Sequence, residues 1–184
     1  MPPPAVAFIG HQLERKGGRR LIEAHQQHLR ERCDLVLITS EQVEPLPEVR
    51  VVSGISAGSD RLWEVLAEVD IMCFPSTIDQ APNAVLEAAA AGLPVIAHPV
   101  GAIAEMVQHG VTGLLVPPDD PAALCAALTS LLDDPARARQ LGRAGRAHVA
   151  AHYDTRTAAA RLVEVLGEAV AERAAAPGRA TVTR

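Results

Sequence analysis

Lys16, Asp79 and Glu87 are charged residues set among glycines, prolines and alanines. A charge in such surroundings needs a partner, because burying it alone is costly. Lys16 follows Arg15 and precedes Gly17-Gly18, glycines that let a backbone come close to a ligand. Asp79 opens the stretch DQAPNAVLEAAAAGLPVIA, which ends at Ala97. Its polar turn closes on Pro82-Asn83, a helix then carries Glu87 in its second turn, and Gly92 stops that helix. The apolar run Leu93 to Ala97 reads as a buried strand. A helix N-terminus has unpaired N–H groups and a partial positive charge, so it seats a phosphate. One turn further in, Glu87 is placed to meet the hydroxyls of a ribose joined to that phosphate. The chemistry indicated is the binding of a nucleoside diphosphate. Ser76, Thr77, Asn83, Ala84 and Val85 are the candidate phosphate contacts, through hydroxyl or backbone N–H.

The elements that must position these groups alternate along the chain. Ala5 to Gly10 is a short apolar strand, and Arg19 to Arg32 has one apolar stripe, so it reads as a helix. Asp34 to Thr39 reads as a buried strand, and Val49 to Ser53 as another. Ser59-Asp60 caps a helix that carries Leu62, Val65, Leu66 and Val69. Then come a strand at Ile71 to Pro75, the helix Pro82 to Ala91 and the strand Leu93 to Ala97. A short helix near Ala102 to His109 and a last strand at Gly113 to Val116 follow. Asp120-Pro121 and Asp134-Pro135 each open a helix, with Asp as cap and Pro at the first helical position. Two or three further helices are expected from Ala136 to about Arg173.

Strands alternating with helices imply an α/β fold, a Rossmann-like parallel sheet with helices on both faces. Ligands in such sheets sit outside the carboxyl ends of the strands. The loops after Gly10, Ser53, Pro75 and Ala97 are therefore expected to converge on one crevice. One domain is expected over residues 1–173, with 174–184, AAAPGRATVTR, as a disordered tail.

A chain of 184 residues can bury a full core. It has 17 Lys and Arg against 22 Asp and Glu, a net charge of −5, and no basic run, which argues against nucleic acid as partner. Aromatic residues make up 2%, so stacking platforms for single strands are scarce. Cys33, Cys73 and Cys125 are odd in number and lack CxxC spacing, so reduced, mostly buried thiols and a cytoplasmic location are expected. No apolar run approaches the ~18 residues of a membrane span, so any membrane association is expected to be peripheral. The opening MPPPAVAFIG lacks the basic segment and apolar core of a signal peptide. The pairs His25/His28 and His148/His152 have helical spacing but no third ligand, so solvated helix faces are expected rather than a metal site. The sequence has no GxGxxG in its first βα turn, no GxxxxGK[ST] and no GxSxG.

Three blocks resemble the donor-binding, C-terminal half of the group 1 glycosyltransferases, retaining enzymes of GT-B fold. The first is FIGHQLERKGG, Phe8 to Gly18, where Gly10, Lys16 and Gly17 fit and His11 stands where arginine is usual. The second is Asp79 to Ala97, similar to EGxPxxxLEAMAxGxPVVA. There Pro82, Leu86, Glu87, Ala88, Gly92, Pro94 and Val95 match, and Asp79 takes the place of the first glutamate. The third is Gly101 to Leu124, similar to GIPEVVxxGxxGLLVxPxDxxAL. The blocks fall in the family's order, and the resemblance covers roughly residues 5 to 170.

The resemblance implies one half of a GT-B fold that binds a nucleoside-diphosphate sugar and transfers a hexosyl group to a sugar, lipid or other acceptor. It implies catalytic roles for Lys16, at the leaving diphosphate, and for Asp79, facing the donor sugar. It places Gly10, His11, Lys16, Ser76, Thr77, Asn83, Ala84, Val85 and Glu87 around the nucleotide. Neither a cofactor nor a metal is implied. An acceptor-binding half is expected on a separate domain or subunit, because the chain opens on the strand that begins the family's second half. The competing reading is a stand-alone nucleotide or sugar-nucleotide binding module without turnover. A flavodoxin-like regulatory domain is a weaker third, since no acidic cluster follows the first strand.

Overall fold

The computed structural model describes residues 2–175. Its strands are β1 (Ala5–Ile9), β2 (Asp34–Ile38), β3 (Val49–Val52), β4 (Ile71–Phe74), β5 (Val95–Ala97) and β6 (Gly113–Leu115). They form one sheet in the order β3-β2-β1-β4-β5-β6, with every neighbouring pair parallel. The helices are α1 (Gly18–Ala24), α2 (Asp60–Leu66), α3 (Asn83–Ala90), α4 (Ile103–Met106), α5 (Pro121–Asp133), α6 (Pro135–His152) and α7 (Thr155–Ala175).

Successive strand side chains point to opposite faces, and both faces are covered. Ala5, Ala7, Val36, Ile38 and Met72 pack with Leu62 and Val65 of α2 and Val85 and Ala88 of α3. Val6, Phe8, Leu35, Leu37 and Cys73 pack with Leu21 and Ile22 of α1 and Leu124 and Leu128 of α5. Burial on both sides is why these strands read as continuous apolar runs rather than alternating ones. From β1 the chain builds outward through β2 and β3. It then returns to lay β4 beside β1 and builds the other way. The reversal puts a topological switch point between the ends of β1 and β4, where a crevice opens.

Several elements differ from the sequence expectation. β3 is outermost, so it is only partly buried, and its Arg50 pairs with Glu68 at 2.8 Å. The single helix expected over 19–32 is α1 followed by a wide π turn at His25–Leu29. His25 there is buried, not solvated. Its Nε2–H donates to the Cys33 carbonyl at 2.8 Å, and Gln26 Nε2 donates to its Nδ1 at 3.1 Å. His148 is likewise anchored, through Nε2 to the Glu105 carbonyl at 3.1 Å, while His28 and His152 are exposed. Beyond α6 lies α7, whose residues Thr155 to Arg173 are all exposed, including Leu162, Leu166 and Val170. The first two positions of the expected tail close α7, and the rest lie outside the described residues. Cys33 and Cys73 are buried and Cys125 is half-buried, all as free thiols. Among the described residues no helix is long and apolar enough to cross a membrane.

Candidate functional site

The loop from Gly10 to Gly17 follows β1 and delivers Lys16. Lys16 N–H donates to the Gln12 carbonyl at 3.0 Å, closing a turn. Gly17 then takes φ 77, and a Cβ there would lie 2.0 Å from the Pro75 carbonyl oxygen. The glycine is needed for the loop after β1 to press against the end of β4; its close approach is to protein backbone rather than to a ligand. The Lys16 ammonium lies 5.6 Å from the centre of the Phe74 ring and 3.2 Å from Asp79 Oδ1. Its side chain is 21% exposed and that of Asp79 12%, so the pair is shielded but still open to the crevice.

Asp79 is held from both sides. Its Oδ2 accepts from Ser76 Oγ at 2.5 Å. Ser76 is fully buried, so the hydroxyl expected to meet phosphate is engaged with Asp79 instead. The loop carrying Asp79 is in turn braced by the third sequence block. Ala102 N–H donates to the Gln80 carbonyl at 2.6 Å, and Gly101, at φ 53, packs where a Cβ would stand 2.3 Å from that same oxygen.

α3 begins without a side-chain cap, because its cap position is Pro82. The N–H groups of Asn83 and Ala84 therefore have no partner within the helix. Val85 differs: its N–H donates to the Pro82 carbonyl at 3.1 Å and its side chain lies in the core. Glu87 is half-buried and its Oε1 accepts from Gly58 N–H at 2.9 Å. That bond draws the β3–α2 loop over the start of α3.

Gly10, His11, Lys16, Asn83, Ala84 and Glu87 line one cavity of about 210 Å³, with Ile55 and Leu62 as apolar wall. Six of the ten candidate residues thus share one space. Ser76, Thr77, Asp79 and Val85 are not among its lining, although Asp79 touches it through Lys16. Arg15, next to Lys16, is exposed and also outside it. A larger cavity of about 820 Å³ opens on the other face of the sheet between α1 and α5, lined in part by Arg20, His28, His98 and Cys125. No candidate residue borders it, so size does not mark the site; the gathering of charge and helix N-terminus does. His98 is buried, its Nδ1 has no partner among the described residues, and burial, with the nearby Arg20 charge, pushes its pKa down.

One contribution was not anticipated. The loop after β2 reaches the site: Ser40 Oγ lies 2.8 Å from His11 Nδ1, and Glu41 Oε1 accepts from Leu13 N–H at 2.8 Å. No local sequence pattern marks such a contact. Ile55 to Ala57 also line the cavity, as expected of the loop after Ser53, and Gly54 and Gly58, both at positive φ, turn the chain on either side of them. Among the described residues no three His, Cys, Asp or Glu side chains gather as a metal site.

The profile of the family described as Glycosyl transferases group 1 matches residues 3–134. The chain belongs to this family. A GDP-mannose-dependent phosphatidylinositol monomannoside mannosyltransferase of Corynebacterium glutamicum is 32% identical over 180 residues, covering 89% of this chain and 47% of that protein. Sucrose-phosphate synthase from Thermosynechococcus elongatus superposes with a TM-score of 0.83 at 28% identity, over 92% of this chain and 46% of that one. The C-terminal domain of a group 1 glycosyltransferase from Francisella tularensis matches over 84% of this chain and 89% of that one, with a TM-score of 0.71 at 20% identity. The chain spans less than half the length of the curated relatives it matches. The six-stranded sheet is one half of the GT-B fold, and the half it matches is the C-terminal one.

Proposed function

We propose that this group 1 glycosyltransferase chain is the donor half of a retaining enzyme. It binds a nucleoside-diphosphate sugar and supports transfer of a hexosyl group to a sugar, lipid or other acceptor held by a separate acceptor-binding domain or subunit. The observation that carries the reading is that Lys16, His11 and the uncapped start of α3 border the same small cavity as Glu87. The GDP-mannose dependence named for the Corynebacterium relative is consistent with it.

In this reading the diphosphate lies between Lys16, His11 and the Asn83 and Ala84 N–H groups. The ribose meets the Glu87 oxygen that Gly58 does not use, and the base rests against the Ile55 loop. During transfer the bond from the sugar carbon to the β-phosphate oxygen breaks, and negative charge collects on that oxygen. Lys16, already aimed by Asp79, stabilises the charge without a metal or cofactor. An ammonium has three donors, so Lys16 can keep Asp79 and take a phosphate oxygen as well. Asp79 faces the donor sugar. A cytoplasmic location with at most peripheral membrane contact fits the three free thiols.

Calorimetric titration of the purified chain with UDP, GDP and ADP tests the reading. Weak binding of at least one is expected, because half a cleft buries less of a ligand than a closed one. Flat titrations with all three at millimolar concentration would count against it.

A further inference from the structure

We infer that Ser40 and Glu41 are positioning residues that hold the loop bearing His11 and Lys16 in its phosphate-binding form, an inference that rests on the donor-site reading above. The loop has a conformational problem to solve. Gln12 sits at φ 62, in the left-handed region that a residue with a Cβ rarely occupies. Such a conformation persists only where the surroundings over-determine it.

The surroundings here are the end of β2 and the residues that follow it. Gly10 N–H donates to the Ile38 carbonyl at 3.0 Å, pinning the start of the loop. Just past Gln12, Leu13 is fully buried, and its N–H donates to Glu41 Oε1 at 2.8 Å. Glu41 is itself fixed, since its N–H donates to Oγ1 of the buried Thr39 at 3.2 Å. Without the carboxylate, an N–H beside a buried side chain would lack a partner, which is costly. The turn that follows, from the Gln12 carbonyl to Lys16 N–H, starts from the residue these contacts fix. Glu41 thus sets the point from which Lys16 departs.

Ser40 acts on His11. Ser40 N–H donates to His11 Nδ1 at 3.3 Å, and Ser40 Oγ lies 2.8 Å from the same nitrogen. A backbone N–H can only donate, so Nδ1 is the acceptor and the Ser40 hydroxyl donates to it too. The proton of the neutral ring is then on Nε2. His11 lines the cavity with Lys16. Its Nε2–H is therefore the donor left for a phosphate oxygen. Neither Ser40 nor Glu41 lines the cavity; both act through the residues they hold.

The test uses the full chain and the variants Ser40→Ala, Glu41→Ala and Glu41→Gln. Nitrogen-15 NMR of the histidine rings at pH 8, with His11 assigned by a His11→Asn variant, should find the wild-type proton on Nε2. Ser40→Ala removes the hydroxyl donor but keeps the residue 40 N–H, so the proton should stay on Nε2 while the Nδ1 resonance moves toward its position without that hydrogen bond. An unmoved Nδ1 resonance would overturn the Ser40 assignment. In calorimetry with UDP, GDP and ADP and their nucleosides, Glu41→Ala should weaken diphosphate binding roughly five- to tenfold and nucleoside binding less than about twofold. Glu41→Gln keeps an acceptor oxygen for Leu13 N–H and should stay within about twofold of wild type. A wild-type His11 protonated on Nδ1 would overturn the Ser40 assignment. Equal losses for diphosphate and nucleoside in Glu41→Ala would overturn the Glu41 assignment. Failure of the wild-type chain to bind any of the three diphosphates is a different result. It overturns the donor-site reading, and the phosphate role of both residues with it.

Discussion

The Lys16 ammonium lies 3.2 Å from Oδ1 of Asp79, across 63 residues of sequence. The contact joins the loop after β1 to the loop after β4, the two edges of the switch-point crevice. It holds a flexible side chain in place before any ligand arrives, which lowers the cost of ordering it on binding.

Lys16→Ala should therefore weaken binding of a nucleoside diphosphate more than binding of the nucleoside. Loss of one charge-assisted hydrogen bond in a partly dry site costs roughly 1.5–3 kcal/mol. Paired calorimetric titrations measure the difference, and equal losses would remove Lys16 from the phosphates.

Glu87→Gln should reduce ribonucleotide binding and leave the fold intact. The amide oxygen still accepts from Gly58 N–H, but it meets the ribose hydroxyls with a weaker acceptor than a carboxylate. Thermal unfolding beside titration separates the two roles. A large fall in melting temperature would mean that Glu87 serves the β3–α2 loop alone.

Gly17→Ala should destabilise the chain by about 1–3 kcal/mol or more, since the new methyl demands both a left-handed backbone and a shift of Pro75. Urea denaturation gives the number. A change within about 0.5 kcal/mol, the range of ordinary surface substitutions, would show that the loop yields freely.

Burial pushes the Cys33 thiol from its ordinary 9.0 up to about 11, with Asp34 adding to the shift. The folded value is the higher one, so the fold favours the neutral thiol. That contribution is complete below the unfolded value of 9.0 and is lost as pH climbs toward 11. Denaturation at a series of pH values should show a shallower alkaline decline in Cys33→Ala than in wild type. Parallel declines would show that other groups account for the loss.

The isolated chain should not transfer sugar to an acceptor, and transfer should appear only when an acceptor-binding half is supplied. Orienting two reactants in one closed cleft can supply about 7–11 kcal/mol of a barrier. A product assay with radiolabelled sugar nucleotides and sugar, lipid and protein acceptors checks this. Acceptor-dependent turnover by the purified chain alone would refute the half-enzyme reading.

Much of the architecture was legible because its signals are local. Apolar runs marked strands buried on both faces, and Asp120-Pro121 and Asp134-Pro135 marked the starts of α5 and α6, where each Asp does accept from an N–H three residues on. What was not legible depends on who the neighbour is. Val49 to Val52 looks like any buried strand, and only the sheet order makes it an edge. His25 has the spacing of a surface residue, yet partners at Cys33 and Gln26 carry it inside. At the site, Ser76 reads as a phosphate contact by type, but its hydroxyl belongs to Asp79. The roles of Ser40 and Glu41 rest on contacts 28 and 29 residues back along the chain, which leave no periodic trace.

The bracing of Gln80 by Gly101 and Ala102 has a consequence for how the molecule is made. A ribosome releases Lys16 early, but the partner that aims it, Asp79, and the strut beneath that partner emerge much later. Until residue 102 is free, the loop that carries Asp79 lacks its brace. A nascent chain arrested earlier should carry β1 and β2 and still lack a competent anion seat. Ligand capture by stalled chains of increasing length should then stay off until residue 102 and the α5 helix that covers the other face of the sheet have emerged, and appear as one step rather than grow with length.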